Sequence, residues 1–460
     1  MRRIWLIVTS LLLLLIACSP EGAAGPIAVS SATPNPPTEI PTPAPPTAIP
    51  TPQPGTLYVD PELSLGAINP LVYGSNYGPW IAVPADMLDE AYAAGVTIIR
   101  FPGGNWGDDN DLRPQQIDAF MAFAEQMGVE TFFNVRLRNG SPEQAAEMVR
   151  YVNVEKGYGV RYWGIGNEPT LFSDALNRNY DTDEFNEQWR LFAEAMKAVD
   201  PSILLVGPEI HQFTGDEAAN PKDSQGRDWM LEFLKANGDM VDIVSFHRYP
   251  FPPGRAGNAK VEDLRQNTFE WDDTIAYLRG QIHAITGRDI PIAVTEVNSH
   301  YTSAAGGEGT PDSHYNAIWW GHVLSTLIRE GVMMVNHWML TSHGSYGGWG
   351  LVGRGDVFPS YYTYQLYKQF GSELVYSSSD DPLVSILAAR REDGALTVLL
   401  INLSDEQVQK PFLIGDEGLD QAEIWLFDQT HNAEDLGLQT VLPDGVILSP
   451  QSLTLLVIAP

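Results

Sequence analysis

The sequence predicts an α/β protein, a (β/α)8 TIM barrel followed by a C-terminal antiparallel β-sandwich domain. Three observations predict it. Strand-like and helix-like segments alternate eight times between residues 68 and 370, and eight is the number of units that closes a parallel barrel. Two of the apolar runs, 161–169 (RYWGIGNEP) and 291–300 (PIAVTEVNSH), carry a glutamate near their C-terminal ends, Glu168 and Glu296. Buried parallel strands whose ends open on one rim of a barrel present polar groups in this way. Beyond Gly371 the helical period stops and only short strand-like runs remain.

Taken in order, strands are expected at 68–76, 97–104, 130–137, 160–169, 203–210, 241–250, 291–300 and 333–340. The helices that follow them are expected at 84–94, 114–127, 142–154, 181–199, 228–236, 271–285, 313–329 and 361–370. Pro114 and Pro142 open their helices, where a missing N–H costs nothing. No phosphate-binding glycine loop follows the first strand, which argues against an open doubly wound sheet. In the sandwich, strands are expected at 383–390, 396–403, 422–427 and 453–458, with Asp393-Gly394 as a hairpin turn. The run 57–59, just ahead of the barrel, is a candidate extra strand for it. The expected domains are thus the barrel at 55–370 and the sandwich at 371–460.

The N-terminus has a different composition. Arg2 and Arg3 precede an apolar run, 4–17, that is too short for a membrane span and fits a signal-peptide core. It ends in Leu15, Ile16, Ala17 and Cys18, which resembles the lipobox of bacterial lipoproteins. The resemblance implies lipidation of Cys18 and an anchor on an extracytoplasmic membrane surface. Cys18 is the only cysteine, so no intrachain disulfide can form. Residues 19–54 are rich in proline and threonine, with ten prolines between Pro34 and Pro54, and read as an extended spacer without a core.

The net charge of −31 argues against nucleic acid as a partner, because phosphates require a basic surface. No nucleotide or cofactor motif is present, and the histidines lack the spacing of a zinc site. The run Asp108, Asp109, Asn110, Asp111 lacks a calcium-loop pattern and reads as a solvated acidic loop.

What remains is a pair of glutamates at two strand ends, which is the requirement for splitting a glycosidic bond: one acid for the leaving oxygen, one carboxylate for the anomeric carbon. Here the strings RFPGGN and WGIGNEP resemble the clan of retaining glycoside hydrolases with the acid/base on strand four and the nucleophile on strand seven. Among its families, 51 is similar, and more loosely 39, 44, 30 and 79. The resemblance implies Glu168 as acid/base, with a pKa raised by an apolar pocket and the second carboxylate, and Glu296 as nucleophile. It also implies Asn167 as the partner of the sugar 2-hydroxyl, and Arg100 and Tyr249 as donors to Glu296. His247 is a further candidate for the site.

Trp80, Trp106, Trp338 and Trp349 fall at strand ends or in the loops after them, where rings can stack on sugar C–H faces, and Trp338 is the leading platform. The glycine-rich stretch 341–360 is expected to form a lid or one wall. A carbohydrate substrate met outside the cell, such as a plant-type hemicellulose, follows from the anchor and spacer together with the resemblance. A surface carbohydrate-binding protein and a transglycosylase are the alternatives.

Overall fold

The computed structural model describes residues 54–251, 259–441 and 445–460. The expected leader, Cys18 and the spacer up to residue 53 lie outside the described residues. The strand ahead of the barrel is β1 (Leu57–Ala67). A closed parallel barrel follows, formed by β2 (Gly74–Asn76), β3 (Ile98–Phe101), β4 (Glu130–Val135), β5 (Tyr162–Ile165), β6 (Leu204–Ile210), β7 (Ile243–Arg248), β8 (Ile292–Val297) and β9 (Met334–His337). It closes where Gly74 and Ser75 of β2 pair with Asn336 and His337 of β9. The first barrel strand is shorter than the sequence suggests. Pro70 instead opens a 3-10 turn, Pro70–Tyr73, whose N-cap Asn69 accepts the Leu71 N–H at 3.1 Å.

The barrel interior is divided by polarity. Ile98, Phe132, Tyr162, Val206, Ile243, Ala293 and Met334, one from each of β3 to β9, join Leu71 in a buried apolar layer. The larger of these side chains, such as Ile98, Phe132, Val206 and Met334, each contribute roughly 1.5–3 kcal/mol of burial free energy. Farther along the same strands the buried side chains are Asn76, Arg100, Asn134, Glu209, His247 and Glu296. These polar groups share the end of the barrel toward which the strands run.

After the barrel come β10 (Glu373–Ser378), β11 (Val384–Arg390), β12 (Leu396–Asn402), β13 (Val408–Lys410), β14 (Phe412–Ile414), β15 (Glu417–Gly418), β16 (Gln421–Phe427), β17 (Asn432–Thr440), β18 (Val446–Leu448) and β19 (Ser452–Ile458). Nine strands form one sheet in the order β15-β14-β1-β10-β11-β12-β19-β16-β17, and β13 pairs with β18. Val446 and Leu448 of that small pair pack with Leu57, Val59, Val398 and Leu400 of the large sheet. The domain is therefore a curled, mostly antiparallel sheet closed over its own core. The extra strand expected at 57–59 runs on to Ala67 and pairs with β10, so the head of the expected barrel segment belongs to this sheet.

The helix His314–Arg329 joins the two parts. Every residue from Tyr315 to Ile328 is buried, as expected for a helix that is covered on all sides. Its Tyr315 hydroxyl donates to the Leu403 carbonyl at 2.9 Å. A methyl group at Gly321 would sit 2.8 Å from Leu453 of β19, so only glycine lets the sheet come this close.

Candidate active site

Arg100, near the end of β3, is the hub. Its Nη1 donates to Glu296 Oε1 at 2.7 Å and to Asn76 Oδ1 at 3.1 Å, and its Nη2 donates to Asn167 Oδ1 at 2.8 Å. Nη2 also lies 2.6 Å from Glu209 Oε2. With its amide oxygen turned toward the guanidinium, Asn134 accepts from Nη2 at 2.5 Å and Nε at 3.2 Å. The guanidinium is fully buried, and a buried cation persists only when its donors are matched in this way.

Two irregularities re-aim the carboxylates. In β8 an extra residue between Val294 and Val297 breaks register with both neighbours and leaves Glu296 opposite His247. Glu296 then accepts from Arg100, from the Gly104 N–H at 3.0 Å and from the Tyr249 hydroxyl at 2.8 Å. Gly104 has φ +62°, and a Cβ there would lie 2.5 Å from the Trp338 ring. Both the backbone twist and the close ring thus require glycine. In β6, register shifts between Gly207 and Ile210 around Pro208, which turns Glu209 inward.

Glu168 and Glu209 both adopt left-handed backbone conformations, with φ of 48° and 60°. Residues other than glycine rarely do so, and such conformations collect at functional sites. The two are tied together, because the Glu168 N–H donates to the Glu209 carbonyl at 2.9 Å. His247 lies between their side chains, with Nδ1 3.0 Å from Glu168 Oε1 and Nε2 3.2 Å from Glu209 Oε2. Its Nδ1 is also 3.6 Å from Glu296 Oε2.

Charge follows from this packing. Burial lowers the His247 pKa, but Glu296, Glu168 and Glu209 outweigh it and raise it to about 9. Burial raises the Glu209 carboxyl, but the charge of Arg100 and the bond to His247 bring it down to about 2. The Tyr249 hydroxyl is pushed well above its ordinary value by burial and by Glu296 and Glu168, so it remains a donor. Glu168 corrects an expectation. Burial does push its pKa up, but His247, with smaller contributions from His211 and Arg100, holds it below the ordinary value in the free site.

These residues open into a cleft of about 490 Å³ lined by Asn167, Glu168, His211, Tyr249, Glu296 and Trp338, among others. Trp338 stacks on Trp80, with ring centroids 5.9 Å apart and planes at 18°. Trp349 meets Trp338 edge-on and donates to the His300 carbonyl at 2.8 Å, so the stretch 341–360 supplies a pinned wall. Tyr301, which is 42% exposed, completes the rim. Neither Trp80 nor Trp106 is among the lining residues.

The acidic run is a second correction. Asp108 is buried and accepts the N–H groups of Leu137, Arg138 and Asn167 at 2.8, 2.9 and 2.7 Å. It therefore fixes the backbone beside Glu168. Asp109 and Asp111 pair with Arg138 and Arg136. Among the described residues, Glu168, His247 and Glu296 are a set with metal-ligand chemistry, with one donor atom of each within 4.8 Å of the others. Arg100 and Tyr249 already bond the oxygens of Glu296, and His247 already bonds Glu168.

Sequence reasoning missed Glu209, Gly104 and His211. The signal for Glu209 was the string Gly207-Pro208-Glu209 inside an apolar strand, since Gly-Pro marks a bulge. His211 follows two residues later, and its Nδ1 lies 2.5 Å from Thr170 Oγ1.

The closed parallel barrel with an appended curled sheet is a fold shared with solved structures of sugar-cleaving enzymes. The α-L-arabinofuranosidase of Thermotoga maritima, in its arabinose complex, superposes with a TM-score of 0.70 at 18% identity, over 88% of this chain and 99% of that one. CelM2, a bifunctional glucanase-xylanase from a metagenome library, superposes at 0.69 and 20% identity with the same coverage. By sequence the chain is similar to the intracellular exo-α-(1→5)-L-arabinofuranosidase of Streptomyces lividans, at 24% identity over 257 residues, 42% of this chain and 37% of that protein. It is also similar to α-L-arabinofuranosidase C of Emericella nidulans, at 22% over 450 residues, 78% of this chain and 87% of that protein. The match thus spans little more than a third of the length of the Streptomyces relative. No family model matches the chain.

Proposed function

We propose that the protein is a retaining glycoside hydrolase acting on hemicellulose or its oligosaccharides, in the manner of the arabinofuranosidases and xylanases it resembles. The observation that carries the reading is the spacing of the carboxylates. One oxygen of Glu168 and one of Glu296 lie within 4.8 Å of each other, which suits the carboxyl separation of about 5–5.5 Å in retaining enzymes and not the about 6.5–9.5 Å that inverting ones leave for a water. Glu296, aligned by three donors, attacks the anomeric carbon while Glu168 protonates the leaving oxygen. Glu168 then takes a proton from the water that releases the sugar. Asn167, its amide fixed by Arg100 and Asn105, is placed to bond the sugar 2-hydroxyl, and Trp338 is the platform beneath the ring.

The test is a screen of the protein against aryl arabinofuranosides, aryl xylosides and hemicellulose polymers, beside Glu168→Ala and Glu296→Ala. Glu296→Ala is expected to lose turnover on all substrates, and Glu168→Ala chiefly on those with poor leaving groups, since good ones need little protonation. Sugar binding without release in the wild type, unchanged in the variants, would sink the hydrolase reading.

We place the protein on the outer face of a membrane, anchored through Cys18 and held off by the proline-rich spacer. The sequence at 4–18 supports this. Wild-type protein in the membrane fraction and Cys18→Ser in the soluble fraction is the expected result, and an identical distribution would refute the anchor.

A further inference from the structure

We propose that Glu209 is a positioning residue that completes a two-proton chain, Glu168–His247–Glu209, from which the acid step draws its proton. This rests on the glycosidase reading above and deepens it.

Hydrogen counting carries the inference. The His247 ring is fully buried, with Nδ1 3.0 Å from Glu168 Oε1 and Nε2 3.2 Å from Glu209 Oε2. Each of these contacts needs one hydrogen, and an ionised carboxylate supplies none. A neutral imidazole carries only one, so the three side chains together must hold two protons. Three arrangements satisfy this, and the Arg100 guanidinium, 2.6 Å from Glu209 Oε2, removes the one that puts a carboxylic acid on Glu209 and leaves two. Either both protons sit on the ring and both carboxylates are ionised, or Nε2–H faces Glu209 while a carboxylic acid on Glu168 faces a bare Nδ1. The Nε2 proton stays in place in both, and only the proton between Nδ1 and Oε1 moves.

Glu209 makes that choice. Its Oε2 is locked 2.6 Å from Arg100 Nη2, in a fully buried position, and its Oε1 has no hydrogen-bond partner among the described residues. The carboxylate is therefore a fixed acceptor for Nε2–H. Without it, the ring is free to carry its single hydrogen on Nδ1. That tautomer donates to Glu168 and holds it as a carboxylate, which has no proton to give. The other charged or titratable groups around the ring are Glu296, Arg100, His211 and Tyr249. None of them is bonded to Nε2, so tautomer control falls to Glu209.

The step balances. As substrate fills the cleft, the Nδ1 proton passes to Glu168 and the ring becomes neutral, keeping Nε2–H. The carboxyl group gives a proton to the leaving oxygen as the C1–O bond breaks and the Glu296–C1 bond forms. In the second half, water forms the new C1–O bond, the Glu296–C1 bond breaks, and the proton released by water returns through Glu168 to Nδ1.

The test is Glu209→Met in the full chain, which keeps the length of the side chain but removes the acceptor that fixes Nε2–H. On unactivated oligosaccharides its kcat is expected to fall about tenfold or more further than on 4-nitrophenyl glycosides, whose leaving group needs little protonation. The basic limb of the kcat/KM pH profile is expected to move down by about one unit or more. Equal losses on both substrate types, or an unmoved basic limb, would overturn the proposal. If the variant does not fold, imidazole nitrogen NMR of the wild type decides, with the His247 signals assigned by His247→Asn. Nε2 protonated across the active pH range supports the chain, and a bare Nε2 at the pH of full activity refutes it. A wild type inactive on every glycoside would instead refute the hydrolase reading, and the NMR result would still decide the tautomer.

Discussion

At the scale of single residues, the ionic pairing in the site ties stability to pH in a calculable direction. His247 has a folded-state pKa of about 9 against an ordinary 6.5, so its stabilisation is fully present below 6.5 and is lost as pH rises through 9. Glu209, held at about 2 against 4.5, contributes above 4.5 and loses that contribution as pH falls toward 2. The pair therefore stabilises the fold most between about pH 4.5 and 6.5. Thermal melts are expected to show a decline on the alkaline side that is flattened in His247→Asn, and an unchanged decline in that variant would contradict the assignment.

Among the same residues lies the measure of what a sequence reveals. Glu168, Glu296, Arg100, His247 and Tyr249 could be found because each ends or follows an apolar run long enough to read as a strand, and a parallel barrel brings all such ends to one rim. Glu209 lies inside the strand expected at 203–210, but nothing in that run says which way its side chain turns. Only the pairing of β6 with β7 shows that a bulge at Gly207-Pro208 turns it inward. Asp108 was misread for another reason. Consecutive acids look solvated, and the three N–H groups that bury Asp108 come from residues 137, 138 and 167, which nothing local announces.

At the scale of elements, the loop after β3 links the nucleophile to the aromatic wall. Gly104 donates its N–H to Glu296 and lies beneath Trp338. Gly104→Ala is expected to destabilise the protein by about 1–3 kcal/mol, from the left-handed backbone alone. It is also expected to reduce kcat, because the ring and the N–H must both shift. Wild-type melting and wild-type kinetics in this variant would show that the loop adapts at no cost. Element boundaries were legible where proline or a cap marked them, as at the helix Pro114–Met127. They were less legible at the first barrel strand, where the turn at Pro70–Tyr73 takes residues with strand-like side chains.

At the scale of the whole molecule, the barrel and the curled sheet share one core. Leu453 and Leu455 of β19 and Leu399 and Ile401 of β12 belong to the same buried cluster as Trp319, Trp320 and Val323 of the central helix. Arg265 adds a polar clasp, bonding the Leu403 carbonyl at 2.9 Å and Asp405 at 2.8 Å. Leu453→Ala is expected to cost about 2–5 kcal/mol and to lower the melting temperature of a single cooperative transition. Two separated transitions, with only the later-melting part unaffected, would show instead that the two parts unfold independently.

The pairing of β1 with β10 has a consequence measured in time. β1 precedes the barrel and β10 follows it, about 300 residues later. At roughly 5–20 residues per second of synthesis, β1 leaves the ribosome roughly 15–60 s before its neighbour exists. A strand waiting that long with open edges is a hazard for mispairing. Asp60, Pro61 and Glu62 sit in the middle of β1, where a missing N–H and two negative charges discourage a stranger's strand from adding to it. The barrel is in this sense a long insertion in a hairpin, and its first strand is dressed for the wait.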